Sequence, residues 1–231
     1  MFADTNVNVW RDAPAINAAM SRVYFHMMLA VIVSMGVSYG VGTSHEAMQF
    51  FFTGAMKWVV IFAPIVAVFM LTIAMNANPP APLAVMMLHG FAALMGLSMA
   101  GIFVVYSMGS IFTAFMGAAV LFAVMSFYGY FTKRSLEDLG SFLFVGLIAI
   151  IIASIINIFI GSTVMQMVIS AIAIIIFLGF TAYDTQQIRE MVSVESGPVV
   201  EVMGALTLYL DFINLFINLL QLIGVAPSKD D

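Results

Sequence analysis

LTLYLDFINLFINLLQLIG, residues 206–224, is nineteen residues of almost unbroken hydrocarbon with one aspartate, Asp211, near its start. A segment of roughly 20 apolar residues is long enough to cross the hydrocarbon core of a bilayer as a helix. The remainder of the chain has the same character. Of its 231 residues 63% are hydrophobic and 8% charged, and no Asp, Glu, Lys or Arg occurs between Lys57 and Lys133. The mean hydropathy is +1.11. A water-soluble domain is about one quarter charged, because its surface must be hydrated. Only a surface facing lipid escapes that demand, so the composition implies an integral membrane protein.

Seven spans are expected, at about 23–42, 58–76, 83–106, 110–131, 139–160, 164–188 and 203–223. GTSHEAMQ (42–49), NANPPAP (76–82) and FTKRSLED (131–138) mark the first, second and fourth breaks. Short glycine-bearing hairpins near SMGS and GST form the third and fifth, and REMVSVESGPVVE (189–201) is the most polar loop. The expected organisation is an N-terminal segment 1–22, a seven-helix domain 23–224 and a short tail 225–231. Lys and Arg favour cytoplasmic loops. With the N-terminus inside, five basic residues (Arg11, Arg22, Lys133, Arg134, Arg189) lie on the cytoplasmic side and two (Lys57, Lys229) outside. The C-terminus is then expected outside. The first twenty residues lack a secretory signal, so the first span directs insertion.

With no cysteine, disulfides and thiolate sites are excluded. No basic cluster points to nucleic acid. The twenty methionines read as adaptable packing, with metal transport the lesser alternative. The small residues Gly90, Gly96, Ser98 and Gly101 read as close helix contact.

Two acids fall well inside spans: Asp184 in the sixth and Asp211 in the seventh. Ionisable residues at such depth face the protein interior and mark function by default. Thr207, Asp211, Asn214, Asn218 and Gln221 are spaced by 4, 3, 4 and 3, one stripe of a helix. Thr181, Asp184 and Gln187 form a shorter stripe. The two spans are antiparallel, and the acids are expected about 6 Å and 12 Å from the cytoplasmic ends of their helices at 1.5 Å per residue. Their side chains can therefore meet. Two carboxylates in contact at low dielectric cannot both ionise cheaply and titrate as a unit. Such a pair is a pH switch and a potential site for a hard cation such as calcium. The alternative is that each acid is satisfied separately by Tyr, Asn or backbone groups.

YDTQQI (183–188) and LYLDFINLFINLL (208–220) resemble the signature of the Bax inhibitor-1 family, with support from GLSMAGIF (96–103), SFYGYFTKRSLEDLG (126–140) and NIFI (157–160). The resemblance implies an all-α membrane protein in which a central last helix is surrounded by six others. It also implies a pH-sensitive calcium leak gated by the aspartates that are Asp184 and Asp211 here. It points to a bacterial inner-membrane member. Relatives can carry a latch arginine near the end of the second helix, but MLTIAMNANPPAP (70–82) has none, which leaves Arg189 as the nearest basic residue in sequence. Tyr183, Thr207, Asn214 and Asn218 are candidates for polar support, and His89 for modulation of the switch. His26 and His45 read as structural or solvated.

An enzyme is not expected: no serine–histidine motif appears, no span holds a lysine, and zinc would need acids besides the scattered histidines. No cofactor is expected. The expected partners are the lipid bilayer, calcium ions and protons. A proton-linked calcium exchanger is the close variant of the leak. The alternative function is a scaffold or regulator that binds another membrane protein, such as a protease or a stress or cell-death regulator, without transport.

Overall fold

The computed structural model describes residues 13–195 and 197–224. Nine helices and no strands occur among them: α1 (Ala13–Gly42), α2 (His45–Phe52), α3 (Met56–Asn76), α4 (Ala81–Met99), α5 (Ile102–Val105), α6 (Met108–Phe131), α7 (Glu137–Ile160), α8 (Thr163–Val194) and α9 (Pro198–Ile223). Seven segments are long and apolar enough to cross a membrane, α4 and α5 together forming the third. Hydrocarbon offers no partner for backbone N–H and C=O groups, so each span must satisfy its own within a helix.

The exceptions are repaired by neighbours. Pro64 lies inside α3 and has no N–H to donate. The carbonyl it would have used, that of Val60, instead accepts the Ser98 hydroxyl from α4. Ser107 and Ser162 cap α6 and α8 by accepting from the Ser110 and Met165 amides at 3.1 and 3.2 Å. Gly161, with φ of 69°, turns the chain between α7 and α8.

The helices run longer than their apolar stretches. α1 begins at Ala13, ten residues before the expected start, so all of the described part of segment 1–22 is helical. REMVSVESGPVVE is nearly all helix as well: α8 runs to Val194, and Gly197 with Pro198 opens α9. Charged residues at a helix end can stand in water while the same helix continues into the bilayer, so polarity did not mark the turn. A short helix, α2, fills part of the first loop. Expectations for Arg11, Lys229 and the tail 225–231 concern residues outside those described.

α9 is the most buried span, with 50% of its most apolar window inside the protein, against 11–33% for the others. It packs on α8, α1, α6, α4 and, lightly, α3. Enclosure by all six other spans does not hold, because α7 packs mainly on α8. α7 is consequently the most lipid-exposed span, carrying exposed Phe142, Val145, Ile158 and Phe159.

Small residues set the closest approaches. Gly96 lies against the Ser34 backbone of α1, and Gly129 against the Ala182 backbone of α8. Of the stripe 90–101, Gly96 and Ser98 make such contacts. Gly90 has open space where a side chain would be, and Gly101 meets only the Phe52 ring. Gly129→Val should therefore cost roughly 1–3 kcal/mol through overpacking against backbone that cannot rotate away. Gly90→Ala, at a helical position with open space, should not lower the thermal midpoint of the detergent-solubilised protein. Equal midpoints for both variants would contradict this account of the contacts.

Candidate functional site

Asp184 lies ten residues before the end of α8 and Asp211 thirteen after the start of α9. At 1.5 Å per residue they stand about 15 and 20 Å from the turn joining the helices. Both are deeper along their helices than the sequence suggested, because the helices extend further. The offset between them is nearly as expected, which puts the two side chains at similar depth on the neighbouring helices α8 and α9. Asp211 is 5% exposed, and its Oδ2 is buried with no hydrogen-bond partner. Carboxylate oxygens only accept, so a direct bond between two carboxyl groups requires a proton on one of them. Neither aspartate is in an ion pair with a described basic residue.

The surroundings of the pair are polar but ordered. On one side Thr185 Oγ1 meets Ser126 Oγ at 2.9 Å, and Ser126 in turn meets the Tyr24 hydroxyl at 2.5 Å, linking α8, α6 and α1. On α9, the buried Tyr209 hydroxyl bonds Ser34 Oγ at 2.6 Å, while Ser34 also donates to the Ala92 carbonyl at 2.8 Å. At the far end of the bundle, Gln221 Oε1 accepts from Gln166 Nε2 at 2.8 Å and from Ser170 Oγ at 2.9 Å. The α9 stripe is thus tied to α8 at its far end and faces it at Asp211.

A cavity of about 390 Å³ lies between the end of α3, the last turns of α8 and the first turns of α9. Asn76, Asn78 and Glu195 line it, together with Ile188 and Thr207. Ile188 is one turn after Asp184, and Thr207 one turn before Asp211. The cavity thus comes within one helical turn of each aspartate along its own helix, with the buried Ile188 side chain in its lining.

The other candidates divide. Thr207 lines the cavity, with its hydroxyl donating to Met203 O at 3.2 Å. Asn214 and Asn218 each donate to a carbonyl one turn back in α9, at 2.8 Å. Tyr183 is turned away, its ring against Gly140 of α7. Arg189 also points elsewhere. Its guanidinium lies over the Tyr130 ring, 5.2 Å from the centroid, so it does not stand in as a latch on the pair. The five-residue step from Asp184 rotates it to another face of α8.

Among the described residues one ion pair is present, and the sequence did not reveal it. Arg22 of α1 holds Glu201 of α9 in a two-pronged contact, Nε–Oε2 at 2.7 Å and Nη2–Oε1 at 2.6 Å. Glu201 is buried, although it falls in what looked like a solvated loop. Beside it, His26 and His89 meet edge to face at 6.3 Å between ring centroids. His89 Nδ1 is bonded to the Val85 carbonyl at 2.7 Å, whereas His26 Nδ1 is buried and unpartnered. His26 is thus half-buried and in contact with His89. No local pattern marks these partners, because they lie on different helices far apart in the chain.

The family model described as inhibitor of apoptosis-promoting Bax1 matches residues 16–228. The chain belongs to the Bax inhibitor-1 family. It is 35% identical over 216 residues to the inner membrane protein YbhL of Escherichia coli K12, covering 89% of this chain and 90% of that one. An uncharacterized protein of Rickettsia prowazekii is 36% identical over 213 residues, covering 89% and 88%. An uncharacterized membrane protein of Streptococcus pyogenes serotype M3 is 41% identical over 163 residues, covering 69% and 70%. As a Bax inhibitor-1 family member, this chain is a multi-pass integral membrane protein.

Arg22→Gln removes the charge that faces buried Glu201 and should destabilise the protein by roughly 1–3 kcal/mol, the cost of a buried group left unsatisfied. The double variant Arg22→Gln/Glu201→Gln should recover part of the loss. Thermal unfolding of the three proteins in one detergent checks the expectation, which fails if the single variant is as stable as wild type.

Proposed function

We propose that this Bax inhibitor-1 family member is a pH-sensitive calcium leak of the bacterial inner membrane, in which Asp184 and Asp211 form the gate. The observation that supports the reading is a buried Asp211 and a half-buried Asp184 at similar depth on the packed helices α8 and α9, each one turn from the lining of a polar-rimmed cavity.

The mechanism follows from electrostatics. With one proton shared, the carboxyl groups bond to each other and hold α8 against α9. When that proton leaves, two negative charges face each other where little water can screen them, and the repulsion is relieved by separation or by a cation between them. A hard divalent ion with a preference for oxygen ligands suits the second course. Carboxamide oxygens of the stripe, from Asn214 and Asn218, supply further acceptors along α9 if their side chains rotate away from their own backbone. Calcium is cargo in this scheme and not a resident metal. Among the described residues, no group of three or more His, Asp or Glu side chains is arranged to hold one. Arg22, by anchoring the start of α9 to α1, keeps the first turns of α9 fixed while the segment around Asp211 responds.

Calcium flux into liposomes containing the purified protein should rise from pH 6 to pH 8, by at most about tenfold per pH unit if one proton controls the gate. Asp184→Asn and Asp211→Asn should each flatten that dependence. Ile188→Ala, which enlarges the cavity one turn from Asp184, should raise the flux at the low-pH end. If wild type carries no calcium above empty liposomes at any of these pH values, the leak is refuted and a non-transporting scaffold becomes the leading account. A flux that moves protons in fixed proportion to calcium would instead identify an exchanger.

A further inference from the structure

α1 and α6 run beside each other without packing together along their length. Hydrogen bonds bridge the gap, Tyr24 to Ser126 and the Tyr130 hydroxyl to Asn17 Oδ1. Between the two helices lies a groove of about 670 Å³, walled by exposed Phe25, Met28, Phe127 and Phe131 and opening sideways. At its Asn17–Tyr130 end it becomes a cleft of about 870 Å³, of a different character. Lys133, Arg134 and Arg189 line this cleft against a single acid, Glu190.

Three of the chain's seven basic residues therefore meet at one point beside a lipid-facing groove. None is in an ion pair with a described acid, and the Arg189 Nε is buried without an acceptor. The cleft is built rather than incidental. Gln186 accepts from the Leu136 amide at 2.7 Å and donates to the Arg134 carbonyl at 2.9 Å, pinning the 132–136 turn to α8. The Tyr130 ring supports the Arg189 guanidinium.

We propose that the basic cleft and the α1–α6 groove together bind an anionic phospholipid, with its phosphate against Lys133, Arg134 and Arg189 and an acyl chain between α1 and α6. Basic pockets between spans take anionic headgroups because the phosphate satisfies several cations at once, and the chain needs an apolar slot at the same place. A groove alone would accept any lipid, and the charge selects among them. The site is separate from the aspartate pair, although the Tyr24–Ser126–Thr185 chain runs from the groove to the residue beside Asp184.

Native mass spectrometry of the purified full-length protein, exchanged into phosphatidylglycerol or phosphatidylcholine of identical chains, tests the proposal. Wild type should retain phosphatidylglycerol about tenfold more than phosphatidylcholine. Lys133→Gln/Arg134→Gln, at exposed positions, should abolish that preference. Ala123→Trp, which fills the groove from an exposed wall position, should reduce retention of both lipids. Lys57→Gln, an exposed cation elsewhere, should change nothing, and circular dichroism should show each variant folded. Equal retention of the two lipids by wild type overturns the proposal. So does phosphatidylglycerol retention that survives either of the first two variants, or that falls as much with Lys57→Gln.

Discussion

A carboxyl group buried between helices in a bilayer has to find its partner inside the protein, and Asp184 and Asp211 stand at similar depth on α8 and α9, two helices in extensive contact. That contact constrains much of the bundle. It sets α8 and α9 antiparallel in one register, which is fixed where Gln221 of α9 meets Gln166 and Ser170 of α8. With α9 held there, its remaining faces are covered by α1, α6 and α4, while α7 is left outside against α8. Hydrophobic burial cannot choose this arrangement, since lipid is as apolar as the protein interior. The choice falls to small-residue contacts such as Gly129 against Ala182 and to the few polar groups that need partners.

Those polar groups form separate layers. The Arg22–Glu201 pair and the two histidines lie nearest the α8–α9 turn. The aspartates and the serine–threonine–tyrosine chain lie deeper, and the Asn157–Gln166–Gln221 network closes the far end. The Arg22–Glu201 pair and the far-end network are satisfied by complementary partners and serve to hold helices together. The middle layer is different: on the proposed reading two like groups face each other there and are satisfied by a shared proton or a cation.

Much of the architecture was legible in the chain. Composition required a membrane protein, the spacing of apolar segments supplied seven spans, and the stripe through Thr207, Asp211 and Asn214 marked the inward face of α9. Helix ends were less legible. REMVSVESGPVVE looked like a loop because it is polar, yet most of it is helix, since polarity reports contact with water and not the loss of helical structure. For the same reason Glu201 was expected in solvent and is buried against Arg22.

The sequence by itself determined the number of spans, the two acids that lie well inside them and the polar stripes of the last two helices. These follow from local rules: a bilayer demands long apolar helices, and a helix of 3.6 residues per turn fixes which side chains share a face. Only the tertiary structure decided which of those faces meet. It brought His26 to His89 and Glu201 to Arg22, turned Arg189 away from the aspartates and toward Tyr130, and left α1 and α6 apart with a basic cleft at the end of the gap. Such pairings join residues up to 179 positions apart, and they depend on how whole helices pack, which no short stretch of sequence encodes.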